Sequence, residues 1–135
     1  MLMKVGPQGA ARCKTSIMKG NPHMAKFLFI YRHNTESHSI NSPEEMQRMY
    51  QKWQAWVAEG LENGWMLDAG NGLKPEGCVV NAKKTITDGP FIEAKELVGG
   101  YAIVQAGDLA SAAEFAKGCP VLLTGGSVEV RPFWK

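Results

Sequence analysis

The sequence predicts one α+β domain built on an antiparallel sheet, and three observations lead there. A length of 135 residues with 44% hydrophobic content suits one core, not two. Apolar residues recur at spacings of three and four in two stretches only, one after Ser42 and one after Asp108. The other apolar runs are short, rich in branched and aromatic residues, and bounded by Gly, Pro and Asn, as strands are.

Residues 1–23 hold three Gly, two Pro, four Lys or Arg and no acid, with no sustained apolar period. They predict a poorly ordered extension, a vector-derived or over-extended start, with the folded domain spanning 24–135. A secretory signal needs an apolar stretch of about 7–15 residues, and Gly6, Pro7, Gln8 and Gly9 interrupt the only candidate. From Ala25 to Arg32 the run is apolar on both parities, which predicts a strand covered on both faces. A polar loop containing His33 and His38 follows. Ser42, Pro43 and Glu45 then supply a cap, a first-turn proline and a capping-box acid for a helix that Asn63-Gly64 ends. Its stripe of Met46, Met49, Tyr50, Trp53, Trp56, Val57 and Leu61 predicts core packing, with ligand lining as the alternative.

Gly70, Gly72, Pro75 and Gly77 mark a loop. Cys78–Asn81 and Lys84–Thr87 predict a hairpin turning at Ala82-Lys83, and residues 88–98 a second loop. Gly99–Ala106 predicts a strand whose paired glycines suggest a bulge or a close backbone approach. Asp108 caps a helix over Leu109–Lys117 with Leu109, Ala112, Ala113 and Ala116 on a narrow face, and Gly118 stops it. Ser127–Phe133 alternates with period two and supplies the last strand. Strand, helix, strand, strand, strand, helix, strand contains two strand-helix-strand halves, so both helices are expected on one face. That is a ferredoxin-like plan.

A formal charge of +2 is too balanced to imply nucleic-acid binding, and none is expected. No run approaches the roughly 20 apolar residues of a membrane span. Cys13, Cys78 and Cys119 are odd in number and widely spaced, without a C-x-x-C pair, which suits a reducing cytoplasmic compartment. Cys78 and Cys119 read as small buried hydrophobes. The sequence contains no G-x-S-x-G, H-E-x-x-H, P-loop or G-x-G-x-x-G, so neither a cofactor nor a metal is indicated.

The residues left with chemistry to offer cluster at two places. Asp88, Glu93, Lys95 and Glu96 lie close together between strands, able to deliver an acid, a base and an ammonium to one ligand. Asp88 reads equally as a brace for the Gly89-Pro90 turn, and the charges beyond it as a solvated pair. His33 can serve in proton transfer if it faces a pocket. Arg32 and Arg131, at strand ends, suit either an anionic ligand or simple ion pairs.

The string from Thr87 to Pro120, TDGPFIEAKELVGGYAIVQAGDLASAAEFAKGCP, followed by GGSVEVRPF over 125–133, closely resembles the DGPF group of YCII-related proteins. Phe27–Tyr31 and Ser42–Met46 extend the likeness, which covers residues 24–133. The resemblance implies a ferredoxin-like subunit of a dimeric α/β-barrel, hence a homodimer, and a strand apolar on both faces agrees with a second sheet as cover. Relatives are associated with a His and Asp site, a few with cofactor-independent lyase-type chemistry on small aromatic compounds, and some with bacterial sigma-factor systems. Carried over, Asp88 matches the motif acid and His33 takes the histidine part, while Arg32, Glu93 and Lys95 are ligand-binding candidates on their charge and position alone. Three functions stay open: a cofactor-free lyase, isomerase or hydrolase; a ligand-sensing module; and a transcription-associated interaction module.

Overall fold

The computed structural model describes residues 24–34, 42–89 and 96–134. Residues 1–23, His38, Glu93 and Lys95 lie outside the described residues.

The described chain runs β1 (Ala25–Asn34), α1 (Pro43–Glu62), β2 (Met66–Gly72), β3 (Gly77–Val80), β4 (Ile86–Gly89), β5 (Glu96–Ala106), α2 (Leu109–Ala116), a 3-10 turn (Pro120–Thr124) and β6 (Ser127–Pro132). Four strands form one antiparallel sheet in the order β2-β5-β1-β6, and β3 and β4 form a separate two-stranded sheet. An α+β fold with that order and two helices agrees with the ferredoxin-like plan. β3 and β4 are an addition between its second and third strands.

Alternation along β1 divides the sheet. Phe27, Phe29 and Tyr31 are buried on the face that both helices cover, where they meet Trp56, Ala112 and Ala116. Phe29 is fully buried, with its ring 6.3 Å from Trp56 and 6.5 Å from Trp65. Burial of one such side chain contributes about 1.5–3 kcal/mol, so these aromatics anchor α1 on the sheet. Leu28 and Ile30 point the other way, beside Ile103 and Tyr101 of β5, and are half-buried without a helix above them.

The caps form as their residue types require. Ser42 Oγ accepts from Glu45 N at 3.1 Å, and Asp108 Oδ1 accepts from Ser111 N at 2.9 Å. The apolar stripe of α1 is only partly core: Trp56 and Gly60 are buried, whereas Met46, Tyr50 and Leu61 are 61%, 60% and 48% exposed. The helix comes closest at Gly60, where an added Cβ would stand 3.0 Å from Met66 Cβ and the Trp65 ring, and Trp53 and Val57 pack on the core beside it. In α2 the buried residues are Ser111, Ala112 and Ala116, and Leu109 is exposed.

Four expectations need correction. β2 is a sheet strand where a loop was expected. Asp68, Gly70 and Asn71 are turn-forming types, and β2 accommodates them through irregular register against β5 and a positive φ of 67° at Gly70. The hairpin lies slightly off its expected place, because Asn81 Oδ1 takes the amides of Lys83 and Thr85 and draws Lys84, at φ 67°, into the turn. Asp88 and Gly89 therefore belong to β4, and Glu96, Leu97 and Val98 to β5, not to one long loop. Cys78 is exposed, since it lies on a strand with nothing packed over it, while Cys119 is buried as expected. No described helix is long and apolar enough to cross a membrane.

Candidate functional site

The end of β1 is shaped by the two glycines facing it. Tyr31 lies opposite Gly100, Arg32 opposite Val98 and His33 opposite Leu97, so Gly99 is the extra residue of a β-bulge. A methyl group on Gly99 would collide with the His33 imidazole at Cδ2 and Nε2. The exposed ring thus lies directly over bare backbone.

Consecutive strand residues face opposite ways. His33 continues the line of Phe27, Phe29 and Tyr31, whereas Arg32 shares the open face with Leu28 and Ile30. There Arg32 meets Glu129 of β6: its Nε and a terminal guanidinium nitrogen lie 2.9 and 2.7 Å from Oε1. Arg131 approaches Oε2 at 3.2 Å. Hydrogen bonding from Arg32 first, and from Arg131 second, holds the Glu129 carboxyl below the usual carboxylate range. Both Arg32 and Arg131 are ion-paired, and the cluster carries one net positive charge on the open face. Glu129 was not singled out from sequence, although its place opposite Ile30, two residues before Arg131, puts three charges on one sheet face.

Asp88 lies on β4 opposite Cys78, exposed, its carboxylate making no hydrogen bond or ion pair among the described residues. Its hairpin contacts no other described element. The described residues therefore do not join Asp88 to His33 or Arg32, and the Gly89-Pro90 turn it was read as bracing runs outside the described residues. One link is visible. The segment 90–95, which holds Glu93 and Lys95, enters the sheet at Glu96, and Glu96 pairs with Asn34 beside His33. A groove of about 520 Å³ lies on the helix side of the sheet; His33, Arg32 and Asp88 do not line it, whereas Trp56, of the helical stripe for which ligand lining was the alternative, does.

Burial pushes the Cys119 thiol up to about 12 and raises the Tyr31 hydroxyl as well, with the nearby Cys119 adding to the latter. Both stay protonated at neutral pH, so Cys119 is no thiolate nucleophile. Among the described residues, no group of three or more His, Cys, Asp or Glu side chains is placed to hold a metal ion.

An antiparallel four-stranded sheet with two helices on one face and a bulged, histidine-bearing strand end defines an α+β domain of the ferredoxin-like kind. The YCII-related domain profile matches residues 25–135, from the first residue of β1 onward. The chain belongs to the YCII-related domain family. Comparison with curated proteins returns no match.

Proposed function

We propose that the chain, a DGPF-type member of its family, forms a homodimer through its open sheet faces, as a dimeric α/β-barrel. In this reading it binds a small anionic or aromatic molecule at a dimer-associated cleft beside the end of β1. Supporting the dimer is the half-buried apolar strip of Leu28, Ile30, Tyr101 and Ile103, which no described helix covers. The observation that carries the site is the His33 ring over the Gly99 bulge, where the segment after Asp88 re-enters the sheet. His33 then serves as the acid-base group, with Asp88 as the carboxylate. Arg32, oriented by Glu129, joins Glu93 and Lys95 in holding the ligand. The chemistry assigned is cofactor-free lyase, isomerase or hydrolase chemistry in the cytoplasm.

The test follows the His33 ring protons by NMR while benzoate, as an anionic aromatic probe, is added to the sedimenting dimer. A saturable His33 shift that Asp88→Asn weakens supports the site. No shift, or the same shift with Asp88→Asn, refutes it, and a stable monomer at micromolar concentration refutes the dimer.

A second reading, a non-catalytic interaction module, draws on the hairpin. Val80 and Ile86 face each other across it and are 62% and 68% exposed, an apolar pair with nothing described above it. Val80→Lys that abolishes a partner's binding while leaving the benzoate response intact favours this reading.

A further inference from the structure

Two surfaces of this chain lack cover, and they match each other. On the hairpin, Val80 pairs with Ile86 and Cys78 with Asp88, so these four side chains share one face. All four are exposed, Val80 by 62% and Ile86 by 68%. Asp88 is the only charge on that face, because Lys83 and Lys84 belong to the turn beyond it. A two-stranded hairpin alone is marginal in water and needs a further layer against it. Within one chain that layer is missing, since β3 and β4 contact only each other among the described elements.

The open sheet face has the complementary character. Its strip of Leu28, Ile30, Tyr101 and Ile103 is apolar, and beside it the cluster of Arg32, Glu129 and Arg131 carries one net positive charge. The Arg131 side chain is 64% exposed and meets Glu129 through one nitrogen at 3.2 Å, which leaves guanidinium donors for a further carboxylate. The hairpin also starts at the end of the sheet where Arg32 and His33 lie: Gly72 pairs with Gly100, which stands opposite Tyr31, and Leu73 still bonds to Gly99. From Leu73 to Gly77 the chain spans up to about 13 Å. Facing sheets pack roughly 10 Å apart, so the hairpin is long enough to cross from its own sheet to a facing one.

We propose that in the homodimer each hairpin packs its Val80–Ile86 face on the second copy and delivers Asp88 to the partner's Arg32 and the partner's His33, so that each site is built from both subunits. The exchange rests on the dimer and the Asp88–His33 pairing proposed above, and two-fold symmetry makes it reciprocal, with two equivalent sites. It gives Asp88 a route to a histidine that the described residues of its own chain do not provide.

The experiment mixes Asp88→Asn chain carrying isotope-labelled histidine with an excess of unlabelled His33→Ala chain and exchanges subunits through an unfolding and refolding cycle. Native mass verifies the mixed dimer, and NMR follows the labelled His33 ring as benzoate is added. Alone, the Asp88→Asn dimer is expected to respond weakly. In the mixed dimer its His33 meets an intact Asp88 from the His33→Ala chain, so the response is expected to return to the parent's affinity. Val80→Lys added to the His33→Ala chain, an exposed change away from the core, is expected to abolish that rescue. A verified mixed dimer without rescue overturns the exchange and leaves the site within one subunit, and rescue that Val80→Lys does not touch overturns the docking face. A parent that sediments as a monomer, or an Asp88→Asn dimer that responds like the parent, overturns the underlying reading and the exchange with it.

Discussion

Gly99 and Gly100 are neighbours in sequence, yet replacing each by alanine has a different cost. At Gly100 the new Cβ meets backbone, standing 2.8 Å from the Asn71 carbonyl oxygen and 3.3 Å from Gly72 Cα. Edge strand β2 has to move for it. Overpacking of this kind costs about 1–3 kcal/mol, and the reduced freedom of the unfolded chain returns about 0.4–1 kcal/mol. Gly100→Ala is therefore expected to lose about 1–2 kcal/mol, at roughly 4–8 °C of Tm per kcal/mol for a domain of this size. At Gly99 the obstacle is the exposed imidazole of His33, which rotates away. Gly99→Ala should melt within about 0.5 kcal/mol of the parent, as surface changes do, while displacing the His33 ring. Thermal melts followed by circular dichroism give the first quantity and the His33 NMR titration the second. If Gly99→Ala destabilises as much as Gly100→Ala, or leaves the His33 resonance and its ligand response unchanged, the account of the bulge is wrong.

Ser42→Ala removes the acceptor of the Glu45 amide and should lower stability by about 0.5–2 kcal/mol, read from a denaturant midpoint; an unchanged midpoint refutes the cap. Ser111 is buried with a hydroxyl that has no partner among the described residues, so Ser111→Ala should be neutral or stabilising by up to about 1 kcal/mol, and a clear loss would reveal a partner for it. Glu129 has a folded-state pKa below its ordinary 4.5, so its pairing contributes stability above that value and loses it as pH falls through the folded one. Glu129→Gln should flatten this acid limb of the stability profile, and an identical limb in the variant shows that other carboxylates set it.

Where sequence and structure agree, the signal was local. The cap at Ser42, the cap at Asp108, the two-sided apolar run of β1 and the bulge glycines each follow from neighbouring residue types, and the structure keeps them. Where they differ, a distant partner decided. β2 reads as loop because its composition is that of a turn, and only pairing with β5 makes it a strand. The exposed half of the α1 stripe looks like core because helical spacing reports which residues share a side, not how much of that side meets the sheet. The site divides in the same way. His33 and Asp88 were visible as residue types, but the opposite facing of Arg32 and His33 follows from where the covering helices lie. The Trp56–Trp65 groove joins residues on either side of the α1–β2 connection with the end of α2, a juxtaposition that spacing does not encode.

The β3–β4 hairpin has a bearing on how this lineage can change. Its first and last residues, Gly77 and Gly89, pair directly, which closes the hairpin at its base. Among the described elements, β3 and β4 contact only each other. Lengthening, shortening or replacing it alters a closed loop whose entropy grows only slowly with length, and no core side chain has to follow. Among the described elements this hairpin can therefore be varied with the least disturbance of the core, and a recombinant library varied between Gly77 and Thr87 has that freedom while sparing Asp88, which the proposed site uses.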